Sequence, residues 1–407
     1  MGQRYPVRAI VHIHTEASNG LASEMDEMIG GAIREALGRD TRVTWSECFT
    51  PVSRLAALLG DPGDPEAVGL VCITDHMNHR SHRLPGALLR AAAADHRLAA
   101  GAEVACVERD IDGEYRKAPE VLVYGGPEPV EGPFGRYYGL TQALVDELFA
   151  ECRAPGLPRV QTTRVLEFCR ERRLACALAH PFDGHFLSLE ATLDVISRGR
   201  FIETVNGGFP AASTRFLEDF IGFQNRVASG WRLDGASALR WPLARRVAER
   251  ILAERRPPLH PWGGSDAHSH DFDRVTVRFL ADRPAPAAGD LFRAMIERPV
   301  EALLIDGTFQ VQGRPGTAWS VLDDVVRIVV RNLWRNRGEI GGLRAASRTI
   351  RGARRVVAEE LGRRDCRQAE LLAAAARELD FARILSRMVL RPAEVAPSRR
   401  LRLAGVV

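Results

Sequence analysis

The chain has 407 residues, enough for one large domain with an appendage. It is 45% hydrophobic and 27% charged, with a net charge of only +4. It has no apolar run of the roughly 18 residues that a membrane span needs, so a soluble globular protein is expected. Its seven cysteines (48, 72, 106, 152, 169, 176 and 366) contain no CxxC pair, which excludes a disulfide framework and predicts reduced thiols in the cytoplasm.

The first strand is predicted over residues 7–13, with no basic stretch and long apolar run before it to act as a leader. Val11 and Ile13 alternate with His12 and His14, so the two histidines share one face of the strand end. Residues 22–60 hold a helical stretch (24–37), a loop and a short helix (51–59), followed by turn chemistry over 60–65. A buried strand over 68–74 ends at Asp75 and His76. An Ala/Leu-rich helix spans 84–96, and strands over 99–107 and 120–124 carry Glu103 and Glu120. A helix over 163–173 leads to a strand over 175–179 that ends at His180-Pro181. The strand over 201–205 carries Glu203 and runs into Asn206. A helix over 243–255 and a short strand lead into Ser265-Asp266-Ala267-His268.

From about residue 316 only helices are predicted. Val321, Leu322, Val325, Val326, Val329 and Leu333 form an apolar stripe at 3.6 spacing, with Arg327, Arg331, Arg335 and Arg337 beside it. Such a tail either packs on the preceding domain or a second copy, or presents a basic surface to a partner, a membrane face or nucleic acid. Its acids Asp323, Asp324, Glu359 and Glu360 dilute the positive field.

Polar residues thus recur at the C-terminal ends of successive strands, where barrel-type α/β folds gather their chemistry. Neither GxGxxG nor GxxxxGK[ST] occurs, so nucleotide-cofactor folds lose support. Imidazole and carboxylate together suit zinc, manganese or iron. Glu103 lies on an Ala/Gly-rich strand with room for a bridging carboxylate. Two ions about 3.5–4 Å apart can bind both the attacking water and the leaving oxygen of a phosphate ester.

The order HxH (His12, His14), TDH (Asp75, His76), a Glu-bearing strand (Glu103), AHP (His180) and SDAH (Asp266, His268) resembles the PHP (polymerase and histidinol phosphatase) superfamily over about residues 5–310. The resemblance implies a distorted (β/α)7 barrel over 1–312, up to three metal ions, and hydrolysis of a phosphate ester by metal-bound hydroxide. It implies that His12, His14, Glu103 and Asp266 hold one ion, Glu103 and His180 a second, and His76 and His268 a third. The remaining 313–407 become a basic helical extension.

Two positions depart from the family pattern. Ser18-Asn19-Gly20 puts Asn19 where an acid or histidine is usual, and Glu120 stands where a histidine is usual. A carboxylate at 120 keeps a donor there and favours harder metals. The stretch between HxH and TDH is also long, so residues 21–50 read as an insertion.

His76 and His268 are candidate proton carriers. Arg80, Arg83, Lys117 and Arg274 fall near strand ends and are candidates for gripping phosphate, or ordinary surface cations. Asp75 is either a site residue or the cap of a following helix, and Glu203 and Asn206 are floor residues or catalytic ones. The expected function is a cytoplasmic metal-dependent phosphoesterase acting on a small phosphomonoester or nucleotide. Nucleic acid is less favoured, because no basic and aromatic interleaving surrounds the site. The alternatives are a weakened metal-binding scaffold whose tail docks a partner, and a metal-dependent C–N hydrolase.

Overall fold

The computed structural model describes residues 4–18, 46, 48–61, 64, 66–182, 186–208, 213–268, 271–284, 286–337, 351, 373 and 379–390. Asn19, the helix expected over 24–37 and most of the 21–50 insertion lie outside these residues, as does most of the tail beyond 337.

The class is mixed α/β, with twelve helices and sixteen strands among the described residues. The strands are β1 (Tyr5–Ile10), β2 (Val68–Ile73), β3 (His76–Met77), β4 (Leu98–Ala100), β5 (Ala102–Arg109), β6 (Tyr115–Gly125), β7 (Val130–Gly132), β8 (Gly135–Gly139), β9 (Val160–Gln161), β10 (Ala175–Leu178), β11 (Phe201–Asn206), β12 (Trp231–Leu233), β13 (His260–Gly264), β14 (Val275–Ala281), β15 (Phe309–Gly313) and β16 (Met388–Leu390).

One sheet has the order β15-β14-β1-β2-β4-β8-β7, and a second the order β13-β11-β10-β6-β5-β3, with β9 on β5. β1, β2 and β4 run parallel, as do β10, β11 and β13, while β6 is antiparallel to both β5 and β10. All six residues of β2 are buried, as a parallel strand covered on both faces requires.

The two sheets are continuous through Gly101. A Cβ at Gly101 would stand 2.8 Å from the Val123 carbonyl oxygen and 3.2 Å from that of Ile73, so only glycine lets these backbones approach. Its N–H bonds to Ile73 O at 2.8 Å, and two residues later Glu103 N bonds to Asp75 O at 3.1 Å. At the far side Asp266 N bonds to His12 O at 2.8 Å and His14 N to Ala267 O at 3.3 Å. The segment that continues β1 is therefore held between the ends of β2 and β13.

Strand alternation divides the apolar residues into two cores. Val7, Ala9 and Val11, with Leu70, Cys72, Leu122, Tyr124, Ala177 and Trp262, form one cluster. Ile10, Ile13, Val71, Ile73, Val121, Val123 and Leu178 face the other way, against the helices. Inside the first cluster the Trp262 indole donates to Tyr124 Oη at 2.9 Å, so its one polar atom is satisfied.

The tail departs from the expectation of helices alone. Helix Ala318–Arg335 and helix Phe381–Ser386 are present, but β16 follows and pairs antiparallel with β12. On the first helix Val329 and Leu333 of the predicted stripe are buried, whereas Trp334 is exposed. Buried Asn332 fixes this helix to the chain before α/β elements resume, accepting from Ser46 N at 3.0 Å and donating to Ser46 O at 2.6 Å.

Candidate metal centre

His12 and His14 are fully buried on the continuation of β1, with ring centroids 5.3 Å apart. Their shared face meets Glu103, which β5 carries in through its pairing with β3. Glu103 Oε2 lies 3.3 Å from His12 Nε2, 3.4 Å from His14 Nε2 and 2.9 Å from His76 Nδ1. Its Oε1 lies 3.0 Å from His180 Nε2. One carboxylate therefore touches four imidazoles.

Asp266 completes the group, with Oδ1 at 3.1 Å from His14 Nε2 and 3.5 Å from His12 Nε2. Asp266 has φ +47 and His180 has φ +22. Both are non-glycine residues in the left-handed region, a strain of roughly 1–3 kcal/mol each that the surrounding structure must hold. The turns let both side chains point back into the cluster just past the ends of β13 and β10.

Three sets of donors lie within 4.8 Å of one another: His12, His14, Glu103 and Asp266; His76, Glu103 and Glu120; and His14, His76 and His268. All eight candidate ligands meet in one place, since His180 joins through Glu103 and lies 3.7 Å from Glu120. The grouping differs in detail from the one the resemblance implies. His76 stands beside Glu103 and Glu120 as well as His268, and His14 belongs to two sets.

The donors fit divalent cations. His12 Nε2 and Glu103 Oε2 are fully buried and have no hydrogen-bond partner, although each faces the other's side of the cluster. Buried polar atoms are rarely left so, and a shared cation would satisfy both.

Further residues orient these donors. His12 Nδ1 lies 3.0 Å from Glu203 Oε1, and a carboxylate only accepts, so Nδ1 carries the proton and Nε2 keeps its lone pair for a metal. Glu203 Oε2 accepts from His180 N and from Asn206 Nδ2, both at 2.9 Å. Glu203 and Asn206 are three apart, so a regular strand would put them on opposite faces. The register of β11 against β13 shifts between Glu203 and Val205, and this bulge brings both to the site. Glu203→Gln is expected to weaken metal binding by about 10–100-fold, the usual effect of losing such a carboxylate partner, as read by competition with a chromogenic chelator.

Asp75 caps no helix, since β3 follows it directly. Its two oxygens accept from Thr15 N at 2.6 Å and Thr15 Oγ1 at 2.7 Å, which fixes the turn just after His14. The buried Cys48 thiol donates to His14 O at 3.2 Å and His268 O at 2.8 Å, tying two ligand loops together. No sequence pattern marks Cys48 for that role. His268 Nδ1 donates to Asp266 O at 3.2 Å, which leaves Nε2 as its basic nitrogen.

The proposed phosphate cations are placed unevenly. Lys117 is half-buried on β6, and its charge opposes the burial of the Glu120 carboxyl. Arg80 and Arg83 are exposed, and Arg274 pairs with Asp271 at 3.7 Å.

These buried groups act on one another's charges. Burial pushes Glu120 up, and the neighbouring Glu103 charge adds to that. Burial acts the same way on Glu103, but His76 and His12 outweigh it and hold Glu103 well below the usual range. For His12, burial is outweighed by Glu103, Asp266 and Glu203, which raise it well above its ordinary value. His14 is lowered by burial and by the charges of His76 and His268. His180, despite burial, is raised to about 9 by Glu103, Asp266 and Glu120.

Raised imidazoles hold protons at neutral pH, and a cation must expel them to bind. Metal binding at pH 7 is thus expected to release at least one proton, and affinity to climb as pH rises towards and past about 9, where His180 is half deprotonated. Calorimetric titration in two buffers of different ionisation enthalpy reads this directly. Identical heats in both buffers would refute it.

No family model, no curated protein and no solved structure matches this chain. Among the described residues no helix is long and apolar enough to cross a membrane.

Proposed function

We propose that the chain is a metal-dependent phosphoesterase of the PHP kind, acting on a small phosphomonoester or a nucleotide. The observation that carries the reading is the Glu103 carboxylate, with His12, His14 and His76 at 2.9–3.4 Å from one oxygen and His180 at 3.0 Å from the other. That is the disposition of a carboxylate shared between cations, and mixed imidazole and carboxylate donors suit zinc, manganese or iron.

The strand order supports the distorted (β/α)7 barrel that goes with this reading. Starting at β1, the pairings run through β2, the continuous β4 and β5, then β6, β10, β11 and β13. The bond from Asp266 N to His12 O returns to the start, giving seven positions round a ring. Apolar residues from β1, β2, β4, β6, β10, β11 and β13 fill one common core inside it.

Divalent ions held by His12, His14, His76, Glu103, Glu120, His180, Asp266 and His268, two or three in number, would bring the pKa of bound water towards about 7 and polarise the phosphoryl oxygens. The chain's own residues do the remaining work. Glu203 keeps His12 in the ligating tautomer, and Asp75 pins the turn at Thr15. His76 and His268, with side chains 12% and 17% exposed, are the imidazoles at the rim, and with two ions bound whichever of them is left free of metal would carry protons to or from substrate. Lys117 would grip a phosphate oxygen.

The test is elemental analysis of purified protein together with turnover of p-nitrophenyl phosphate in manganese. We expect at least one ion per chain, and hydrolysis that a chelator stops and manganese restores. Metal below one per chain with no hydrolysis would sink the proposal in favour of a scaffold. Cleavage of ring amides in place of esters would move it to C–N bonds.

A further inference from the structure

A cavity of about 410 Å³ opens at the end of these strands opposite the metal cluster. Ala175 and Phe201, at the starts of β10 and β11, line it. His180 and Asn206, five residues further on, belong to the metal cluster. At about 3.3 Å per residue the two places are about 16 Å apart.

Five guanidiniums line this cavity, those of Arg170, Arg173, Arg198, Arg200 and Arg255, against the single carboxylate of Glu301. Arg173 pairs with Glu297 at 2.8 Å, and Arg198 with Glu254 at 3.1 Å. Arg170, Arg200 and Arg255 make no ion pair among the described residues. Arg200 donates to the carbonyls of Ile296 and Arg298, while its Nε is buried with no hydrogen-bond partner. Burial lowers the Arg200 pKa, so the protein at this point disfavours the charge it has placed there. A bound anion would favour that charge and supply the missing acceptor.

The backbone shows the same bias. The helices Thr162–Glu171 and Pro242–Ala253 both end beside the cavity in Schellman turns, with Leu174 N bonding to Cys169 O at 2.7 Å and Arg256 N to Ile251 O at 2.9 Å. The left-handed residue of such a turn is usually glycine. Here it is Arg173, at φ +54, in one and Arg255, at φ +51, in the other. The helix carbonyl ends would repel an anion, and these arginines bring the opposite charge to the same spot. The remaining accessible wall is apolar, with Pro257 and Pro299 exposed and Ile296 half-buried.

We propose that this cavity is a second ligand site, separate from the metal centre, for a phosphate-bearing small molecule with an aromatic or similar apolar body. The phosphate would lie on Arg170, Arg200 and Arg255, and the body against Pro257 and Ile296.

Phenylphosphonate, which has that chemistry and no ester to hydrolyse, is the probe. Calorimetric titration of the full chain in chelator buffer removes the contribution of bound metal. Arg170 and Arg255 are both exposed, so R170Q/R255Q should fold, and it leaves the Arg200 carbonyl bonds in place. We expect this variant to bind phenylphosphonate about tenfold or more weakly, as for lost charge-assisted hydrogen bonds, and E103Q to bind it as wild type does. Half-buried Cys176 lines the cavity and gives a local readout. Phenylphosphonate should slow its alkylation in wild type and in E103Q, followed on the Cys176 peptide by mass spectrometry. The proposal is overturned if wild type does not bind the probe, if binding follows Glu103 and ignores the arginines, or if Cys176 reacts equally fast with and without it.

Discussion

Glu103→Gln should leave the fold intact and remove both metal and turnover. The amide keeps the size of the side chain and discards the charge that meets His12, His14, His76 and His180. A shared carboxylate that neutralises two cations is worth several kcal/mol to the transition state, so turnover of p-nitrophenyl phosphate should fall by at least about 10²–10³-fold. Metal per chain should fall with it, while the far-UV circular dichroism stays as in wild type. Glu120→Gln is the informative partner, because Glu120 reaches only His180 and the His76–Glu103 set. It should reduce the number of ions bound without removing all of them. A Glu103→Gln protein that keeps its metal and works within about threefold of wild type would leave no place for a bridging carboxylate in the mechanism.

The second large effect is expected at a residue with no side chain, Gly264. It ends β13 where Asn206 pairs with it, under the metal ligands. A Cβ built there falls inside the van der Waals reach of both His12 Cβ and Glu203 Oε1. Both neighbours are buried and one is backbone-proximal, so neither can swing away. Gly264→Ala should therefore destabilise the protein by about 1–3 kcal/mol through overpacking, read as a lower denaturant midpoint. It should also weaken metal binding, since relief comes only by moving His12 or Glu203. Gly235→Ala is the control. Nothing lies within 4 Å of a Cβ at Gly235, and its effect should be neutral or slightly stabilising. Equal midpoints for Gly264→Ala and wild type would show that the close contact under His12 does not exist in solution.

Much of the site was legible because its ligands sit on short local patterns. The alternation of His12 and His14 with Val11 and Ile13 is a period-two fact, and both imidazoles do share a face. Asp75 was legible as a site residue but not in its role, because its partner Thr15 is 60 residues away. Glu203 and Asn206 were legible as floor or catalytic residues but not as partners, since two-residue periodicity would set them on opposite faces and only the bulge between them brings both to the site. Cys48 carried no signal, because a buried thiol reads as filler until the carbonyls of His14 and His268 are seen beside it. In the tail, helical spacing hid the three residues of β16, which are too few to show alternation and are strand only because β12 is there to pair with.

The sequence by itself determined which atoms are available: imidazoles and carboxylates at strand ends, alternating strands and helices to carry them, and cysteines in apolar runs. Those are properties of residues a few positions apart, set by backbone geometry and side-chain chemistry. Only the tertiary structure decided that Glu103 is the hub, that Glu203 sets the tautomer of His12, and that arginines from two helix ends line a cavity behind the sheet. Strand register and helix placement come from contacts between distant parts of the chain, and no local pattern encodes which distant carboxylate a given histidine will meet.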